Sequence, residues 1–110
     1  MTSMIARLSD TGARPDALAR PLLALWHLRA GGLAMGEHWM AAHALCQEQE
    51  GDPDHDIVHA LAHLIEGDAP NAAYWYRRAG SRQTGDIEAE WQRIATLLSE
   101  RLAPDRSGGS

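Results

Sequence analysis

The sequence predicts an all-α fold of four to five antiparallel helices, the last of them a capping helix. Three observations carry that prediction. Ala, Leu, Glu, Gln, Met and Arg dominate the 110-residue chain, and these are good helix formers. Sustained apolar/polar alternation, the mark of a half-buried strand, is missing, and Val, Ile and Thr are sparse. Turn-forming residues gather at Gly31-Gly32, Gly51-Asp52-Pro53, Gly67-Asp68 and Gly80, which divides the chain into helix-length pieces.

In chain order, residues 1–14 read as a loose arm and residues 15–102 as one helical domain. The first helix covers residues 16–30, where Leu18, Leu22, Leu25 and Trp26 recur at helical spacing. Pro21 either kinks it or marks the start of its regular part, because a first turn tolerates proline. The second helix covers residues 37–50, with Trp39, Ala42, Leu45 and Cys46 as its apolar stripe. The third covers residues 53–66, with Asp52 as N-cap and Gly67 as its end. Asp68 and Pro70 restart the chain into a fourth helix that lasts to Ala79, with Gly80 closing it. Residues 86–102 form the fifth. Its stripe of Ile87, Trp91, Ile94, Leu98 and Leu102 is the cleanest amphipathic pattern in the chain. Residues 103–110, APDRSGGS, read as a disordered tail.

The totals exclude several classes. Fifteen acidic residues against ten Arg give a net charge of −5, so a nucleic-acid-coating protein is not expected. The single Cys46 allows neither an internal disulfide nor a thiol-rich zinc site, which fits a reducing cytosol. The first residues lack the apolar core of a signal peptide. No stretch reaches the ~18 consecutive apolar residues of a membrane helix. A cytoplasmic protein without membrane association is therefore expected.

The sharpest chemical question lies in HDIVHALAHLIEGD, residues 55–68. At 100° per residue, His55, His59, His63 and Glu66 fall within ~80° of one another on the third helix. Histidines one turn apart can chelate zinc, and a carboxylate completes many such sites. The segment is not HExxH, because Ala60 stands where the general-base Glu would be. The ordinary reading is packing: His59 and His63 face a neighbouring helix and bond to its polar groups, with Asn71, Tyr74, Arg78 and His43 as partners. His55 lies nearest the exposed start of the helix. A second cluster, Asn71, Tyr74, Arg77 and Arg78, forms an aromatic-basic patch able to meet an anionic ligand or a protein partner. Its arginines also complement the helix dipole, which is their commoner use. Cys46 on an apolar stripe reads as an inert core residue.

The stretch AHLIEGDAPNAAYWYRRAG resembles one tetratricopeptide repeat. Ala60 is the small residue of the first helix, Gly67-Asp68 the turn, and Ala72, Tyr76 and Ala79 the second-helix set. Residues 21–80 also resemble a group of small bacterial proteins that share an LW helix, an AH helix, HAxxHxxEGD and NAxYWYRRAG. Here these are Leu25-Trp26, Ala42-His43, residues 59–68 and residues 71–80. The resemblance implies helix pairs stacked in a repeat-like way and implies no activity. The function expected from it is a small helical-repeat interaction module with an unidentified protein partner. A homodimer is also expected, because the end near Leu22 and Trp26 has only the loose arm to cover it. No cofactor is expected on this reading. The alternative is a metal-binding protein or a small metal-dependent enzyme, with zinc on His59, His63 and Glu66, joined by His43.

Overall fold

The structure is a computed structural model that describes residues 4–12 and 14–102; the expected tail, residues 103–110, lies outside the described residues. It consists of α1 (Met4–Ser9), α2 (Arg20–Ala30), α3 (Glu37–Gln47), α4 (Pro53–Glu66), α5 (Ala69–Arg78) and α6 (Ile87–Leu102), with no strand among the described residues.

The six-residue α1 forms inside the segment expected to be a loose arm. Leu8 is fully buried, and Met4 and Ile5 pack against the core beside it. Three apolar side chains over one and a half turns are too few to show a period in the sequence, yet they suffice to dock a short helix. α1 packs on α2 and α6, and Trp26 donates its indole N–H to the Asp10 carbonyl at 3.1 Å. Leu22 and Trp26 are therefore covered, at 1% and 5% exposure. The apolar end that motivated a homodimer is closed by the chain itself.

Regular helix in α2 starts at Arg20, with Pro21 in the first turn, so the proline marks a start and not a kink. α3 ends at Gln47, three residues earlier than expected, where the chain turns toward Gly51. α4 spans the expected residues. The Asp52 carboxylate accepts the His55 backbone N–H, and Gly67 takes the left-handed conformation (φ 89°) that closes the helix. A side chain at Gly67 would carry a strain that glycine avoids. Asp68 caps α5 through the Asn71 N–H. The two-residue link between α4 and α5 lets them pack along each other as an antiparallel hairpin.

α4 is the central helix. α2, α3, α5 and α6 all pack on it, and residues 55–63 are buried on every side. A helix with neighbours all round has no solvent side over those turns. α6 lies against α2 and α4 through Trp91, Ile94, Ala95 and Leu98, all fully buried.

Candidate metal centre

The surroundings of α4 bring three imidazoles together. His59 and His63 sit one turn apart on α4, and His43 arrives from α3. One ring nitrogen from each lies within 4.8 Å of the other two. The His43 and His59 Nε2 atoms are 3.2 Å apart. His59 and His63 are buried, and His43 is half-buried at the edge.

Each ring is held by a different neighbour. His43 stacks on Trp39, with centroids 4.7 Å apart and planes inclined by 11°. Trp39 is itself fixed, because its indole N–H donates to the Ala62 carbonyl of α4 at 2.7 Å. His59 lies between Trp75, at 4.1 Å, and His63, at 4.9 Å, as a stack. His63 is oriented by its own helix: Nδ1 meets the Glu66 carboxylate at 2.8 Å. An Nδ1–H held by a carboxylate leaves Nε2 with its lone pair free, the arrangement that orients histidine ligands in metal sites. His59 Nδ1 is buried without a hydrogen-bond partner, so the two stacked rings and the contact of Nε2 with His43 set that ring.

Burial with two imidazoles alongside disfavours charge. His59 is lowered to about 3 by burial first, then by His43 and His63. His43 is lowered by burial and His63, with Glu66 and Glu50 partly opposing. Neutral rings, with lone pairs available, are the form that binds metal.

The expected residues divide accordingly. His43, His59 and His63 converge. Glu66 lies outside that grouping and meets His63 at Nδ1. With Asp68 and His63 it forms a separate, more exposed grouping. His55 departs from expectation: it is only 7% exposed, and its Nδ1 pairs with Asp52 at 2.6 Å. It lies outside the cluster because Asp52 holds it at the helix start. Of the packing partners expected for His59 and His63, only His43 bonds to one of them. Asn71 turns back to Asp68, its amide donating at 3.0 Å. Arg78 donates to the Tyr74 hydroxyl at 2.8 Å and lies over the Tyr74 and Trp75 rings. Arg77 is exposed. The aromatic-basic patch is thus an Arg78–Tyr74 pair with Arg77 beside it in the helix, while Asn71 serves as part of a cap.

Sequence reasoning gave no role in the cluster to Trp75. Its ring stacks on His59 from α5, and no spacing within one helix signals such a contact. It also missed the His27–His38 pair, whose Nδ1 atoms are 2.9 Å apart, since those residues belong to α2 and α3. Cys46 is fully buried. Burial and then the Asp56 charge push its thiol far above the ordinary range, which makes it an inert core residue. No helix among the described residues is long and apolar enough to cross a membrane.

No known protein family matches the chain, and neither does any curated protein or solved structure.

Proposed function

We propose that this chain binds a divalent late first-row metal ion of the zinc class, through His43, His59 and His63. One observation carries the reading: the 3.2 Å separation of the His43 and His59 Nε2 atoms. Zinc–nitrogen bonds of about 2.0–2.1 Å to both atoms would subtend about 100° at the ion, close to tetrahedral. The third imidazole is oriented by a carboxylate, and stacked indoles brace the other two. Three neutral nitrogens favour late transition ions over calcium or magnesium, which take oxygen ligands.

The test is equilibrium dialysis of untagged protein against Zn²⁺, with elemental analysis of the retentate. One ion per chain is expected, with affinity reduced at least ~10-fold in His43→Ala and in His63→Ala, and ~10–100-fold for loss of an orienting partner in Glu66→Ala. Wild-type affinity in His43→Ala would refute the assignment.

The helical interaction module stands as a second reading, favoured by the exposure of Met40, Met35 and Tyr74 at 65%, 51% and 40%. The buried Ala60, Ala72 and Tyr76 support treating α4–α5 as one tetratricopeptide-like unit. A protein partner lost on Met40→Glu, with the metal site intact, would support this reading.

A further inference from the structure

An ion on three imidazoles needs at least one more donor, and the surroundings of the cluster restrict where it comes from. Glu66 is engaged at His63 Nδ1, 2.8 Å away, on the ring edge away from Nε2. Asp68 is occupied in the cap of α5, one oxygen 3.3 Å from the Asn71 backbone N–H and the other 3.0 Å from its amide. Cys46, one turn along α3 from His43, is fully buried and outside the ligand grouping. Glu50 is exposed and acts on His43 only through its charge. None of these supplies a fourth donor where the three rings meet.

The charge balance points the same way. Three neutral imidazoles contribute no negative charge, so a divalent ion keeps its full +2 in the first shell, with Glu66 one ring away. Access exists on one side, because His43 is half-buried while His59 and His63 are enclosed. A doubly positive centre with an edge toward solvent attracts small anions and polarises bound water.

Resting on the metal reading above, we infer that the ion keeps a fourth coordination position on its His43 side for an exogenous small anion: hydroxide, or a monovalent donor such as azide or a carboxylate. The site is then a receptor for anionic ligands and not a closed structural clip, since closed zinc sites fill all four positions with protein. Trp39 and Trp75 stay in place as the ligand exchanges, because they contact the rings and not the open position.

The probe is cobalt(II), whose visible bands report its coordination. The untagged full chain is loaded with one equivalent of Co²⁺ and titrated with sodium azide. A saturable change in the cobalt bands is expected. The azide concentration for half-saturation should rise about tenfold per pH unit once the metal-bound water has ionised, because hydroxide then competes for the same position. Cobalt bands that form but ignore azide would overturn the inference while leaving the metal reading intact. An azide response that appears only in Asp68→Asn or Glu66→Gln would overturn it too, by placing that carboxylate on the ion. Absence of cobalt bands together with no uptake on dialysis would remove the metal reading, and this inference with it.

Discussion

Two buried polar clusters lie on either side of α5, and they are built on opposite principles. The first is the imidazole cluster between α3, α4 and α5. The second centres on Glu90 of α6, which is fully buried. One Glu90 oxygen accepts the Tyr76 hydroxyl at 2.6 Å and an Arg93 Nη at 2.8 Å. The other accepts the Thr84 N–H, the Thr84 hydroxyl and the Gly85 N–H at 3.0–3.1 Å. Burial alone would raise the Glu90 pKa, but Arg93, Tyr76 and Thr84 outweigh it and hold the carboxyl at about 2. Every acceptor there is used, and the cluster ties the loop before α6 to α5. The imidazole cluster is also rigid, yet its donor nitrogens face one another at hydrogen-bond distance and His59 Nδ1 has no partner. A buried network with nothing left over holds a fold together. The imidazole cluster, by contrast, keeps a buried ring nitrogen that no protein group satisfies, and the proposed metal site would draw on such leftover capacity in its rings.

The largest effect expected from this contrast is at Glu90. Glu90→Ala leaves Tyr76, Thr84 and Gly85 without their acceptor and Arg93 with only Ser81 and the Arg82 carbonyl, and should destabilise the chain by ~3–5 kcal/mol in urea unfolding. His59→Ala should cost less in metal-free protein, because it removes a ring with one unsatisfied atom. The reverse order would show that the two clusters had been assigned the wrong way round.

The two clusters should also separate along the pH axis. His59 and His43 have folded pKa values below their unfolded ones, so the unfolded chain binds more protons. Their contribution to the metal-free protein is complete above the unfolded value of about 6.5 and is lost as pH falls through the folded one, about 3 for His59. Glu90 contributes fully above its reference value of 4.5 and is lost only as pH falls toward about 2. Stability measured across this range should decline in two stages, imidazoles first. In His59→Gln the decline below about pH 6.5 should shrink while the later stage persists.

A smaller effect separates the two tryptophans. Trp39→Phe keeps a ring against His43 but loses the indole hydrogen bond to the Ala62 carbonyl, a cost of about 0.5–1.5 kcal/mol. Trp75→Phe keeps a stacked ring on His59 and breaks no hydrogen bond that orients the cluster. It should cost less and should leave metal affinity nearer wild type. The smallest response belongs to Cys46. Its thiol should resist alkylation in native protein and react only on unfolding, as a mass shift would report.

The helices were legible from local rules. α4 occupies the expected residues, with Asp52 and Gly67 at its ends, because capping and left-handed termination depend on neighbours a few residues away. The spacing of His59, His63 and Glu66 was legible for the same reason. α1 was not, since its three apolar residues become a helix only on meeting α2 and α6. Glu90 gave no signal, because a lone carboxylate at the edge of the Ile87, Trp91 and Ile94 stripe reads as a solvated flank of the helix. It is buried by the loop that folds back over it.

What the sequence determined by itself is whatever the 3.6-residue period and the caps dictate: all-α architecture, helix ends, and two histidines on one side of α4. Tertiary structure alone decided that His43, a candidate from the sequence, reaches His59 and His63, that Glu66 meets His63 at Nδ1, and that Trp75 stacks on His59. Each of these depends on which faces of separate helices meet. That is set by the packing of whole surfaces across the core, a sum of contacts that no single stretch of chain contains.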